Sequence, residues 1–271
     1  MSPEDSRRSN GGGAPHPVSG AGVSNTPEWE RRRSPGMAPH LLSPSTPLVI
    51  GHRGAGRSAT ENTSASFHEA RRLGADLVEL DVVATADGKL ALAHDIFVDG
   101  EPVWLQQAAD LPFEMLGPES VPEGMGIALE VKLVPTDVEG RGTLRALLPA
   151  LEKLAAGHPL LCLAFDPVAA ARLSQLGIPT GWIVKQGLPT VEAAITARWL
   201  GVDVVMLHGP TTDVTHPGWE HARALLRGGP AIWEWDAEPG TASLHRDHGV
   251  VGFCGDDVAG LSQVLHCSPR G

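Results

Sequence analysis

The chain has 271 residues, of which 42% are hydrophobic, and this allows one large domain or two small ones with a sizeable core. A formal net charge of −11 argues against a nucleic-acid partner and against docking on anionic lipid, because both are themselves negatively charged. The three cysteines, Cys162, Cys254 and Cys267, show no paired spacing, so a reducing, cytoplasmic setting is favoured over a secreted disulfide scaffold.

Residues 1–45 differ in composition from the rest of the chain. They are rich in Ser, Pro, Gly and Arg, and contain no apolar run that could serve as a signal-peptide core or a membrane span. Such a segment buries too little apolar surface to offset the entropy lost on ordering. We therefore expect a disordered tail over 1–45, a single domain over 46–271, and no stable membrane insertion.

Apolar runs with strand character alternate with helical patterns from Pro47 onward. The eight strand-like runs are PLVIG, DLVELDVV, GIALEVKL, PLLCLAF, GWIVK, VDVVML, PAIWEW and VVGFC. Several helical patterns begin with a capping residue and end in Gly, and Asp166 followed by Pro167 predicts one such N-terminus. This alternation predicts an α/β fold, a (β/α)8 TIM barrel, with a doubly wound open sheet as the alternative.

Acidic side chains lie near the ends of the second and third predicted strands. Glu79 and Asp81 are two residues apart and therefore point to the same side of their strand, and Glu130 is followed two residues later by Lys132. In a barrel these strand ends meet at the active-site rim, where three carboxylates would repel one another. Either a divalent cation with oxygen ligands, Mg²⁺ or Ca²⁺, or an ordinary ion network with arginine and lysine would offset that repulsion.

Two histidines and an arginine are predicted at the same rim. His52 and Arg53 follow the first strand, and His94 follows the second. Histidine is the side chain best suited to exchange protons near neutral pH, and the planar fork of arginine matches phosphate oxygens. Their convergence with the acids shifts the balance towards a functional site.

Six short motifs, in this order and spacing, resemble the glycerophosphodiester phosphodiesterase family. They are HRG at 52–54, TENT at 60–63, ELDV at 79–82, TADG at 85–88, HD at 94–95 and EVK at 130–132. The resemblance extends over roughly residues 47–265 and implies a TIM barrel. It also implies metal-dependent hydrolysis of a small-molecule phosphodiester to glycerol 3-phosphate and an alcohol.

The resemblance also implies a role for each matching residue. The implied metal ligands are Glu79, Asp81 and Glu130. The implied general acid and base are His52 and His94, and the implied phosphate ligands are Arg53 and Lys132. Trp233 resembles a tryptophan that packs near the glycerol moiety, and Glu61 resembles a glutamate that either orients Arg53 or reaches the metal.

The segment between His94 and Glu130 departs from the family pattern. It is shorter and lacks the family's helix, which predicts a shortened connection between the second and third barrel strands. WEWD also stands where the family has WTVN, and Thr60 replaces a proline. Two alternatives therefore remain: a phosphodiesterase acting on another diester such as a lysophospholipid, and a non-catalytic barrel that binds a phosphorylated ligand.

The remaining polar residues divide into rim and surface positions. His208 and Lys185 follow the sixth and fifth predicted strands, where each either lines the pocket or belongs to the surface. Cys254 is predicted in the core of the last strand. Surface positions are predicted for four further histidines, His216, His221, His245 and His248.

Overall fold

The computed structural model describes residues 41–42, 44–137 and 142–266. Most of the predicted tail over 1–45 lies outside these residues. Leu41 is only 1% exposed and packs against Leu48 and Ile50 at the barrel interior. Packing therefore starts ahead of the domain boundary predicted at residue 46.

Eight parallel strands form a closed barrel within the described residues. All strands in chain order are β1 (Leu48–Gly51), β2 (Leu77–Ala84), β3 (Leu90–Leu92), β4 (Phe97–Val98), β5 (Glu101–Pro102), β6 (Gly126–Val131), β7 (Leu160–Ala164), β8 (Thr180–Ile183), β9 (Val204–His208), β10 (Ala231–Trp235) and β11 (Gly252–Gly255). The barrel order is β1-β2-β6-β7-β8-β9-β10-β11, and β1 pairs with both β2 and β11. The predicted TIM barrel is confirmed, and the open-sheet alternative is wrong.

The α-helices of the described residues cover the outside of the barrel. They are α1 (Ser64–Arg72), α2 (Thr143–Leu154), α3 (Pro167–Gln175), α4 (Thr190–Leu200), α5 (Pro217–Leu226), α6 (Pro239–Asp247) and α7 (Val258–His266). The carboxylate of Asp166 accepts the backbone N–H groups of Val168 and Ala169, so the predicted cap of α3 is confirmed.

The connection from β2 to β6 contains no α-helix, and all of its residues, 85–125, are described. Strand β3 instead pairs antiparallel with β2, in the register Val82↔Leu92, and β4 and β5 form a small separate hairpin. Short 3-10 turns fill the rest of the connection. The predicted loss of the second barrel helix is confirmed, and this side of the rim is built from hairpins.

Strand β2 shows how the fold positions polar groups. Its outward side chains, Val78, Leu80 and Val82, pack with the neighbouring helices. Its inward side chains change along the strand, from Leu77 in the apolar interior to Glu79 and then Asp81 near the carboxyl end. The apolar side chains at the start of the strand fill the barrel interior, so the acidic side chains further along face the rim.

Candidate active site

Three buried carboxylates converge at the carboxyl ends of β2 and β6. Glu79 and Asp81 come from β2 and Glu130 from β6, where Asp81 and Glu130 are register partners. Each offers an oxygen, and these oxygens all lie within 4.8 Å of one another. Burial, together with the negative charge of Asp81, raises the pKa of Glu79 to about 8. Burial likewise raises the pKa of Glu130.

Two cations contact part of this cluster. The Nζ of Lys132 lies 2.8 Å from Asp81 Oδ1 and also contacts Glu130, and the Nε of Arg53 lies 3.2 Å from Asp81 Oδ2. Burial would raise the pKa of Asp81, but Lys132 and its other partners outweigh burial and lower it. The ion network anticipated as one alternative therefore exists around Asp81.

Glu79 takes no part in the ion pairs that Arg53 and Lys132 make with this cluster. Glu79 Oε1 is buried and accepts no hydrogen bond from the residues that the structure describes. An unpaired buried carboxylate oxygen is costly, and oxygen ligands of this kind suit Mg²⁺ or Ca²⁺. The donor set of Glu79, Asp81 and Glu130 therefore fits a divalent cation.

The loop after β1 wraps around the acids. Arg53 has a positive φ of 50°, an uncommon conformation for a residue with a side chain, and its backbone N–H donates to Glu79 Oε2 over 3.0 Å. Its guanidinium donates to Glu61 Oε2 over 2.8 Å. Glu61 lies outside the group of converging carboxylates, so of its two anticipated positions the structure places it against Arg53.

Asn62, the third residue of the TENT motif, holds Asp81 from the same loop, a contact that the motif did not predict. Its side-chain amide donates to Asp81 Oδ2 over 2.9 Å and its carbonyl oxygen accepts the Asp81 backbone N–H over 3.0 Å. It is buried and also has a positive φ, 54°. The two hydrogen bonds together fix the orientation of the Asp81 carboxylate relative to this loop.

His52 is fixed by a residue that the sequence analysis did not single out. Its Nδ1 lies 2.7 Å from Asp256 Oδ1, just beyond β11. Burial would lower the pKa of His52, but the hydrogen bond to Asp256 and the negative charge of Glu79 outweigh it and raise the pKa to about 9. A carboxylate at the end of the last barrel strand was the available signal, because all strand ends share this rim.

His94 reaches the rim from the hairpin after β2. The backbone N–H of Ala93 donates to the carbonyl of Asp81 over 3.2 Å, which keeps His94 beside the acidic strand. Its Nδ1 lies 2.9 Å from Asp95 Oδ1, and both side chains are exposed. His94 is therefore at the rim but less firmly held than His52.

The tryptophan at the rim is Trp235, and Trp233 lies below it. Trp233 is 0% exposed, with its ring among the apolar side chains of the barrel interior, so it offers no surface to a ligand. Trp235 packs edge-on against Phe165, at 5.6 Å between ring centroids, and lies 4.4 Å from the ring of His208.

His208 is thus part of the rim, where its Nε2 lies 3.4 Å from Asp236. Lys185 is exposed.

The remaining histidines are only partly where the sequence placed them. His216 and His221 are exposed, and His248 is half-buried. The surface position predicted for His245 is wrong, because this residue is 4% exposed and its Nδ1 lies 2.5 Å from the buried carboxylate of Glu234. Cys254 is buried, as predicted.

Comparisons with known proteins agree with these motifs. Residues 52–135 match the Glycerophosphoryl diester phosphodiesterase family. A glycerophosphodiester phosphodiesterase from Caldanaerobacter subterraneus is 54% identical over 52 residues, 19% of this chain and 21% of that protein. One from Bacillus subtilis is 43% identical over 60 residues, 22% of this chain and 20% of that protein. The aligned part spans about a fifth of the length of these relatives.

The fold extends the likeness to most of the chain. The solved structure of an Oleispira antarctica phosphodiesterase in complex with sn-glycerol-3-phosphate matches 82% of this chain and 98% of that one, with a TM-score of 0.68 and 22% identity. Among the described residues, none of the helices is both long and apolar enough to cross a bilayer. The motifs at residues 52–135 and the barrel that carries them confirm that the chain resembles the glycerophosphodiester phosphodiesterase family.

Proposed function

We propose that the chain hydrolyses glycerophosphodiesters to glycerol 3-phosphate and an alcohol, with a divalent cation held by Glu79, Asp81 and Glu130. The observation that carries the proposal is the unpaired oxygen of Glu79 inside a carboxylate cluster that also contains Arg53 and Lys132. A bound Mg²⁺ or Ca²⁺ would offset the negative charge of the phosphate. The Oleispira antarctica structure, with its product sn-glycerol-3-phosphate, supports this substrate class.

The two cations are placed to bind the phosphate. Arg53 is half-buried and anchored by Glu61, so its guanidinium is held in one orientation at the rim. Lys132 points into the cluster from the end of β6. Preorganised cations of this kind stabilise the negative charge that develops on the phosphate oxygens during hydrolysis, at little cost in reorganisation.

The two histidines supply the proton transfers. The raised pKa of His52, about 9, keeps its imidazole protonated at neutral pH, so we assign it as the general acid that protonates the leaving alkoxide. His94 is then the general base that takes a proton from the attacking water. One P–O bond forms to this water and the P–O bond to the alcohol breaks.

Hydrolysis of glycerophosphocholine, followed by ³¹P NMR, tests the proposal. The wild-type chain with Mg²⁺ or Ca²⁺ is expected to form glycerol 3-phosphate, and His52→Ala to be slower by on the order of 10²–10⁴. His221→Ala, which removes an exposed histidine on α5, is the matched control and should retain wild-type activity. Failure of the wild type to cleave any glycerophosphodiester would leave the non-catalytic, ligand-binding barrel as the better account.

A lysophospholipid is the second candidate substrate, favoured by apolar exposure beside His94. Phe97 and Leu105 are 52% and 66% exposed, and Phe97 packs edge-on against Trp104 at 5.2 Å between ring centroids. Phe113, on the same connection, is half-buried against the neighbouring apolar cluster. Exposed apolar groups at a rim suit an apolar alcohol.

Comparison of kcat/KM across substrates tests whether these exposed apolar side chains influence the choice of substrate. We expect glycerophosphocholine, glycerophosphoethanolamine, glycerophosphoinositol and a lysophospholipid to be cleaved within about tenfold of one another, a difference of roughly 1.4 kcal/mol. The reason is that a shortened connection leaves fewer contacts that could discriminate between head groups. A preference above about a thousandfold for one small head group would contradict this, since 4 kcal/mol or so requires specific contacts.

A further inference from the structure

We propose that Asp256 is a positioning residue for His52: its carboxylate accepts a hydrogen bond from the Nδ1–H of the ring and leaves Nε2 for proton transfer. The inference rests on the proposed function, because it names the residue on which the general acid depends. A carboxylate only accepts hydrogen bonds, so the 2.7 Å contact requires a proton on Nδ1 of His52. The second ring nitrogen is then the one that exchanges protons with a ligand.

The closure of the barrel brings the two residues together. Strand β1 pairs with β11 in the register Gly51↔Gly255, and the backbone N–H of His52 donates to the carbonyl of Gly255 over 3.2 Å. The hydrogen-bond ladder of the sheet therefore continues as far as His52 itself and Gly255, the residue before Asp256. Although His52 and Asp256 are 204 residues apart in sequence, their backbones are fixed relative to each other by the seam of the sheet.

The charges around His52 match this role. Asp256 and Glu79 are the acidic groups that act on the imidazole, and Arg53 opposes them. The hydrogen bond to His52 also lowers the pKa of Asp256, so Asp256 remains a carboxylate near neutral pH. Its side chain is 48% exposed, and among the described residues no second carboxylate forms a hydrogen bond with His52.

The neighbouring acid, Asp257, has a different task and provides a matched comparison. Its Oδ2 pairs with Arg57 over 3.0 Å, and its Oδ1 accepts the backbone N–H of Gly260 in the first turn of α7. Asp256→Asn and Asp257→Asn each remove one negative charge, and they do so at neighbouring positions of the same loop. Only the change at Asp256 removes an acceptor from His52.

Steady-state kinetics of the metal-loaded full chain provide the first test. Asp256→Asn is expected to lower kcat for glycerophosphocholine by about 10- to 100-fold, part of the 10²–10⁴ that general acid–base catalysis contributes, with KM changed less than about threefold. The loss should shrink for a nitrophenyl phosphodiester, whose leaving group needs no proton. Asp256→Glu should recover part of the activity, and Asp257→Asn should retain wild-type kcat.

NMR of ¹⁵N-histidine-labelled protein provides a test that needs no turnover. The spectra are recorded above a pH of about 9, where the imidazole of His52 is neutral and the wild type should hold it in the Nδ1–H form. An Asn at position 256 can donate to Nδ1, so at that pH His52 is expected to change to the Nε2–H form in Asp256→Asn but not in Asp257→Asn. Should the wild type cleave no diester, the proposed function fails, and this change would still support the positioning role. An unchanged form of His52 in Asp256→Asn, or a kcat within twofold of the wild type, would overturn the inference.

Discussion

The backbone N–H of Arg53 donates to Glu79 Oε2 over 3.0 Å, so a residue proposed to bind phosphate also holds a candidate metal ligand through its main chain. The contact depends on the left-handed backbone of Arg53, with φ at 50°. Main chain and side chain of this one residue therefore serve two different parts of the site, and they can be separated by mutation.

Arg53→Ala tests that separation. The variant keeps the N–H that holds Glu79 but loses the guanidinium, so Mg²⁺ or Ca²⁺ affinity measured by calorimetry should not weaken. Charge-assisted hydrogen bonds contribute about 1.5–3 kcal/mol, so kcat/KM for glycerophosphocholine should fall by about 10- to 150-fold. A variant that loses metal affinity as strongly as activity would show that the guanidinium supports the cluster itself.

Glu79→Gln and Asp81→Asn should move the stability of the metal-free chain in opposite directions. Glu79 has an unpaired buried oxygen, so neutralising it relieves repulsion and should raise the Tm. Asp81 contacts both Lys132 and Arg53, so its loss leaves each cation with one carboxylate partner instead of two and should lower the Tm. Calorimetric unfolding in EDTA measures the Tm of both variants. A lower Tm for Glu79→Gln would contradict the interpretation that the Glu79 carboxylate has an unpaired buried oxygen.

The two tryptophans of β10 should behave differently on truncation. Trp233→Ala opens a cavity in the fully buried barrel interior and should lower the free energy of unfolding by about 3–5 kcal/mol. Trp235→Ala removes a half-buried rim side chain and should mainly raise KM for the diester. Denaturant unfolding and steady-state kinetics of both variants make the comparison. A KM effect confined to Trp233→Ala would restore the role that the family resemblance gives to that residue.

Acid stability should depend on Asp87, in the turn between β2 and β3. Hydrogen bonds from the Thr85 hydroxyl and the Ala108 backbone N–H lower its pKa to about 2. A lowered carboxyl pKa gives stability that is present above the ordinary value of 3.8 and is lost as the pH falls through about 2. The Tm of the wild type should therefore drop more steeply than that of Asp87→Asn between pH 4 and pH 2.

Asp110→Asn is the control for that titration, because Asp110 is an exposed acid on the same connection. It should follow the wild-type curve. Parallel curves for the wild type and Asp87→Asn would mean that the turn keeps its hydrogen bonds when Asp87 is protonated.

The barrel and the acidic cluster were predictable because local patterns specify them. Alternating apolar runs and helix caps mark the elements, and Glu79 and Asp81 share a face because side chains alternate along a strand. Asp256 was not predictable in this way, since its contact with His52 exists only once the barrel closes. The local pattern also put Trp233 and Trp235 on one face but could not tell which layer of the barrel each would occupy. The polar pattern around His245 suggested exposure, and burial there depends on Glu234, which lies on another element.

The metal requirement is the part of the proposed function on which the other roles depend: Glu79, Asp81 and Glu130 hold a divalent cation without which hydrolysis does not proceed. Its most direct test is the rate of glycerol 3-phosphate formation from glycerophosphocholine by EDTA-treated protein, titrated with Mg²⁺ and with Ca²⁺, for the wild type and Glu79→Gln. We predict no hydrolysis without added metal, saturable recovery in the wild type with at least one of the two ions, and no recovery in Glu79→Gln at the same concentrations. Hydrolysis that persists in EDTA, or equal recovery in both proteins, would contradict the claim.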